Sequence, residues 1–412
     1  MSGSAASGPK VPPATALYLA LLQLLFTLCW TVYAIYLPAL AASVGIAAGT
    51  VILILMLDQA IFTVCDTATG IAADRILRVI GRIGRWVAII TVISCATFLA
   101  LPFITKAGPQ AQALFLAATI VWAVTSSALR APPIMLLGKY AARPQWPMLS
   151  AIVMLGYGVA GAAAPYLAVT LRGLDPRIPF VLSSAALLLA TFGLAHVERR
   201  LARAPQAAPE PATARPALAP SRVSAARIAF AVAMIVLALG FQVHFAINTA
   251  PLFRRFTGEL DWLMPLFWVG FNIAMFPATL LVKRWGAFAV MGVFGIAGAL
   301  AILAAELASA LNLLIVAQLL AGGAWGCILM SAFTAAFSTG ENGNQGKMVG
   351  LLFSALAFAA FLRIGLISAG WHRDPDLLAV LQWAPVACWM IAGTLLTALA
   401  LNWARREMTG AA

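Results

Sequence analysis

Residues 66–86 read DTATGIAADRILRVIGRIGRW and stand between two long apolar runs. Four arginines, Arg75, Arg78, Arg82 and Arg85, crowd into this short polar break. A basic break between apolar runs fits a loop held on one side of a membrane. Gly70 carries no side chain, so another helix can approach it closely. Asp74 falls where the preceding run ends. A carboxylate at such a helix end can pair with arginine or face the positive N-terminus of another helix.

The runs on either side set the class. Apolar residues make up 63% of the chain and charged residues only 9%, against about a quarter charged in ordinary soluble chains. Runs of about 20 apolar residues are what a hydrocarbon core of about 30 Å demands of a helix. Backbone groups in lipid must be satisfied within the segment, which favours helices. Barrel strands would alternate every second residue, and these runs do not. Spans are expected at 14–42, 49–73, 86–105, 111–138, 148–171 and 178–197, then at 226–250, 262–282, 286–305, 309–338, 348–370 and 378–403. The chain thus reads as an all-α membrane protein with twelve transmembrane helices. Residues 1–13 read as disordered, 14–198 and 226–405 as two six-helix bundles, 199–225 as a cytoplasmic linker rich in Ala, Pro and Arg, and 406–412 as a tail.

The net charge of +13 does not point to nucleic acid, because the basic residues gather in loops between spans. With the N-terminus cytoplasmic, about eighteen basic residues fall on the cytoplasmic side and about six on the other. Trp86, Trp146, Trp262, Trp285, Trp371 and Trp403 fall near span ends, as interface anchors do. Arg- and Ala-rich usage hints at a bacterial inner membrane. The five cysteines sit inside apolar runs without metal-like spacing. There is no H-E-x-x-H pair, metal cluster or Gly-rich phosphate loop, so neither an enzyme nor a cofactor is expected.

Gly70, Asp74 and Arg75 give the pattern G-x-x-x-D-R after the second span. It resembles the signature of the major facilitator superfamily between helices 2 and 3. The longer pattern from Asp66 to Gly81–Arg82 resembles the glycoside–pentoside–hexuronide:cation symporter branch. Two positions depart from that branch: Phe62, where a second acid is usual, and Thr67, where Pro is usual. The resemblance implies two pseudo-symmetric six-helix bundles working by alternating access, usually as a monomer. It implies a central cavity lined by helices 1, 4, 7 and 10. It also implies a gating role for the loop residues Gly70, Asp74, Arg75, Gly81 and Arg82. In the second half FPATLLVKRWG, ending at Gly286, reads either as a degenerate echo of this loop or as a plain basic loop. GYGVAGAAAP, from Gly156 to Pro165, weakly resembles an antiporter signature, but close helix packing is the favoured reading.

Ionisable residues deep in spans are costly and therefore the best site candidates. Asp58, beside Gln59, is the first choice for the coupling residue. Asp66 and Arg130 lie about 12 and 13.5 Å inside their helix ends at 1.5 Å per residue. They are expected to form an ion pair, either a switch or a permanent bridge. Pro132 and Pro133 must disturb the helix after Arg130, and Arg130 could bind an anion directly. Arg363 reads equally as functional or as snorkelling outward. His244, with Gln242, Asn248 and Thr249, makes a polar stretch. Trp30, Tyr33, Tyr36 and Trp325 could stack on a flat solute or simply pack. Together these residues suggest transport of a sugar or organic acid coupled to a proton or Na⁺. The alternatives are proton-driven efflux, and a membrane-embedded sensor or enzyme.

Overall fold

The computed structural model describes residues 11–203, 220–341 and 343–408. Among them there is no strand. The helices are α1 (Pro13–Ser43), α2 (Ala48–Val79), α3 (Gly84–Ile104), α4 (Gln112–Ser126), α5 (Ala131–Tyr140), α6 (Trp146–Thr170), α7 (Arg177–Phe192) and α8 (Leu194–Arg203). The second half follows with α9 (Pro220–Val243), α10 (Thr249–Arg254), α11 (Leu260–Leu263), α12 (Pro265–Trp285), α13 (Ala287–Glu306), α14 (Leu311–Thr339), α15 (Gln345–Ser368) and α16 (Pro375–Met408).

Eleven helical stretches are long and apolar enough to cross a membrane. One of them, Gly84–Tyr140, has 57 residues, far more than the ~20 that one crossing needs. It turns at Gly108, whose φ of 67° breaks the helix, and α4 then packs back against α3. This stretch therefore has the length and the turn for two crossings. Large apolar side chains face outward, among them Leu189 at 74% and Ile273 at 67% exposure. In lipid such a surface is satisfied rather than costly.

In the first half α1 packs on α6 and α7, and α3 on α4 and α7; in the second, α13 packs on α14 and α16, and α9 on α15 and α16. The halves meet chiefly where α2 runs along α15 and α6 along α12. Gly81 (φ 77°) turns the chain from α2 to α3, and Gly286 (φ 85°) turns it from α12 to α13. Matching left-handed glycines at matching loops agree with the repeat reading of FPATLLVKRWG.

Two boundaries differ from the expected ones. α2 continues to Val79 rather than stopping near residue 73, because Leu77 still finds buried packing. α8 carries helix to Arg203 and α9 begins at Pro220, so both ends of the expected 199–225 linker are helical. α8 is held by buried Leu201 and by Glu198, which accepts the N–H groups of Ile83 and Gly84 at 2.8 and 2.7 Å. Residues 204–219, and with them the middle of the linker, lie outside the described residues, as do residues 1–10 and 409–412.

Candidate functional site

The seam between α2 and α15 is built on glycines. A Cβ on Gly70 would run into the carbonyl of Gly346, and a Cβ on Gly350 into that of Asp66. Without side chains the two backbones touch, which is how small residues permit tight crossings. Asp74 extends this contact. Its carboxylate accepts the N–H of Gly346 at 2.9 Å and of Lys347 at 2.7 Å. These belong to the first turn of α15, where N–H groups have no partner within the helix. Asp74 thus faces a helix N-terminus of the other half, from a position inside α2. Arg75 and Arg82 of the same loop make no hydrogen bond or ion pair among the described residues, and both are exposed. Nearby, Arg143 and Glu341 form a bidentate pair across the same basic face, at 2.5 and 2.6 Å.

Deeper along α2 lies the ion pair. Arg130 Nη1 is 2.6 Å from Asp66 Oδ2. Asp66 is fully buried, and the Arg130 side chain is 14% exposed. The Arg130 guanidinium lies 5.0 Å from the Phe62 ring and 4.8 Å from the Phe353 ring. Phe62 comes from α2 and Phe353 from α15, so aromatic rings of both halves meet one cation. The local chain explains the placement. α4 ends at Ser126, a 3₁₀ turn spans Ser127–Leu129, and α5 restarts at Ala131 with Pro132 and Pro133 in its first turn. Prolines are tolerated there because first-turn N–H groups are unpaired anyway. The break turns Arg130 toward the seam. Both departures from the symporter pattern touch this region: Phe62 meets Arg130, and Thr67 gives its N–H and shares its hydroxyl with Ser354 Oγ of the other half.

Two turns away on α2, Asp58 is fully buried. Tyr33 donates its hydroxyl to Asp58 Oδ2 at 2.8 Å, while Oδ1 has no partner. Aromatic rings enclose the pair. Trp30 stacks on Trp122 and meets the edge of Phe62, and Tyr33 packs 4.4 Å from Trp122. Gln59 is buried beside Asp58. Tyr36 lies apart, donating to the carbonyls of Leu171 and Leu174.

The candidates of the second half do not join this cluster. His244 bonds Gln318 at 3.2 Å inside its own half, at the start of a π-helical turn, His244–Asn248. Asn248 donates to the carbonyls of Leu381 and Gln382. Trp325 is buried, stacked 4.6 Å from Phe241 and 5.9 Å from Trp389, which makes it a packing residue. Arg363 is partly exposed and donates Nε–H to Gln242 at 3.0 Å. The GYGVAGAAAP stretch packs: Gly156 meets the α1 backbone at Ala20, and Gly158 and Gly161 receive Phe271, Asn272 and Trp268 of α12.

Phe353, Ser354, Trp122 and Gly346 were not among the sequence candidates. As apolar or small residues within apolar runs they carry no chemical signal of their own. Glu341 and Arg143 stood in loops, where charge is ordinary.

A family model described as Major Facilitator Superfamily matches residues 19–363. Solved structures agree in fold. A bacterial homologue of the iron transporter ferroportin in an outward-facing state superposes with a TM-score of 0.71 at 15% identity, covering 95% of this chain and 100% of that one. The human organic anion transporter TETRAN gives 0.66 at 14%, covering 95% and 99%. The E. coli fucose:proton symporter gives 0.64 at 12%, covering 94% and 98%. A search of curated proteins finds no match. With most of its length matched by the family model, this chain belongs to the major facilitator superfamily and is a multi-pass membrane transporter, not an enzyme.

Proposed function

We propose that the protein is a secondary active transporter that carries a small organic anion together with a proton by alternating access. The observation that carries this reading is Arg130, a guanidinium held between Phe62 and Phe353 at the meeting of the two halves. A planar guanidinium is suited to bidentate binding of a carboxylate. Asp66 holds Arg130 by a single bond through Nη1, which leaves the rest of the planar fork to a substrate. A substrate carboxylate would bind there, and Arg130 would report occupancy to both halves through the two rings.

Asp58 is the proposed coupling group. It has one unpartnered oxygen and a single hydroxyl donor. Trp30, Phe62 and Trp122 pack around it and Tyr33. A sodium ion needs several oxygen ligands and a proton needs one, which favours the proton. Asp74 of α2 at the N-terminus of α15, with Arg143–Glu341, is the proposed lock that holds the basic face closed while the opposite face opens. By the positive-inside rule that face is the cytoplasmic one; the reading proposed is of a monomer in a bacterial inner membrane.

The test is uptake into proteoliposomes under an imposed proton or Na⁺ gradient, with organic acids and neutral sugars as a panel. The expected result is proton-driven uptake of an organic acid that Asp58→Asn abolishes. Accumulation of neutral sugars alone would remove the anion reading. Flux indifferent to Asp58→Asn would remove Asp58 from coupling. Acid-driven export with no uptake would reverse the direction.

A further inference from the structure

Beside Arg130 the two halves are joined by hydroxyl groups. Gly346, Gly350 and Ser354 repeat every four residues and so share one face of α15. The two glycines lie against the α2 backbone. A Cβ on Gly350 would run into the Asp66 carbonyl and stand 3.0 Å from the Thr67 Cα. One turn on, Ser354 has a side chain and uses it. Its Oγ accepts the Thr67 N–H at 3.1 Å and lies 2.8 Å from the Thr67 Oγ. Ser354 is buried. Thr67 stands where the symporter pattern usually has Pro; a proline would bring neither an N–H nor a hydroxyl to this contact.

The pair closes a ring of contacts. Thr67 follows Asp66, which holds Arg130 at 2.6 Å. Ser354 follows Phe353, whose ring lies 4.8 Å from the Arg130 guanidinium. Going round, α2 reaches α15 twice, once through the hydroxyls and once through Arg130. Among the described residues Arg130 makes no hydrogen bond to α15; its one side-chain bond goes to Asp66. A cation lying over a ring tolerates a range of separations out to about 6 Å. A hydrogen bond weakens over a few tenths of an ångström. The hydroxyl pair is therefore the stricter of the two links.

We propose that Thr67 and Ser354 are positioning residues for the anion site: their bonds set the spacing of α2 and α15 and thereby hold Phe353 against Arg130. The inference rests on the organic anion reading above. A carboxylate at Arg130 meets a cation whose second ring is in place only while the pair is made. Separation of the halves on the basic side breaks the pair and withdraws Phe353. The site then weakens as it opens in that direction, and substrate is released on that side.

The test is a graded series in the full chain in proteoliposomes. Ser354→Ala removes both bonds, Thr67→Val removes the hydroxyl contact and keeps the N–H, and Thr67→Ser keeps both. The first readout needs no substrate. Ala357 is buried and packs with Phe62 beyond the pair, so an impermeant maleimide applied to the basic side reaches Ala357→Cys only through the seam. Labelling should stay at the wild-type level in Thr67→Ser, rise about threefold in Thr67→Val and rise further in Ser354→Ala. The second readout is the KM for the organic acid, which should rise in the same order. In a chain already carrying Phe353→Ala, adding Ser354→Ala should raise KM no further, because no ring is left to position. A merely structural Ser354 would leave KM alone or raise it equally in both backgrounds. Labelling flat across the series, or KM effects that add to those of Phe353→Ala, would overturn the inference and leave organic acid transport standing. Labelling that follows the series in a chain that takes up no organic acid would strike the substrate reading and leave the pair as what spaces the two helices.

Discussion

Asp74 accepts the backbone N–H of Lys347 at 2.7 Å, so a side chain of one half caps a helix of the other. The bond joins two effects, a charge-assisted hydrogen bond and a carboxylate at the positive end of a 24-residue helix. On the proposed cycle both would be lost when the basic face opens, so the interaction would stabilise one state rather than the fold as a whole.

Asp74→Asn keeps the size of the side chain and removes its charge. The closed state should lose about 1–2 kcal/mol, the range for a carboxylate at a partly buried helix end. The measurement is labelling of a cysteine placed on the seam near Gly346 from the basic side. Labelling should rise roughly tenfold, and uptake should fall. Unchanged labelling and full uptake would remove the lock.

Gly70→Leu should act on the same state by a different route. The new side chain would meet the Gly346 carbonyl, and backbone cannot yield as a flexible side chain can. The variant should stay folded but fail to close the basic face. It would bind substrate from that side and give little net uptake. Wild-type transport by this variant would show that α2 and α15 separate at too little cost for the crossing to matter.

Glu341→Ala removes the other bridge across the basic face. Arg143 is 60% exposed and Glu341 28%. Exposed pairs contribute less than about 1 kcal/mol and are screened by salt. Uptake should therefore fall no more than a few-fold, and high salt should erase the difference from wild type. A loss as large as that of Asp74→Asn would mean that the pair is far less screened than its exposure implies.

Arg130→Lys preserves charge while discarding the planar guanidinium that lies against Phe62 and Phe353. An ammonium cannot bind a carboxylate by two parallel bonds, and a desolvated cation–π contact is worth about 2 kcal/mol. Substrate affinity should fall at least tenfold, read as a higher KM with the proton dependence retained. Phe353→Ala should repeat part of that loss, although Phe353 lies on the opposite half.

Much of this architecture was legible before folding was considered. Span positions follow from apolar runs and the thickness of a bilayer, and the basic face from loop arginines. Depth within a span is also one-dimensional. Counting 1.5 Å per residue from each helix end put Asp66 and Arg130 at one level, and they meet at 2.6 Å. Gly70 likewise signalled a close approach; Asp74 left open an arginine or a helix N-terminus, and it meets the N-terminus.

The direction in which each side chain points around its helix was not legible. In water an amphipathic helix marks its buried face by polarity. In lipid the outer face is as apolar as the inner one, so no period in the sequence separates them. For this reason His244 and Trp325 looked equal to Trp30 as cavity residues, yet they turn into their own half against Gln318 and Phe241. For the same reason Phe353, Ser354 and Gly346 carried no sign that they complete the site. Chain order alone sets how deep each charge lies and which loops share a face. Which residues of the opposite half those charges meet depends on how two apolar surfaces pack, and apolar surfaces look alike until they are folded together.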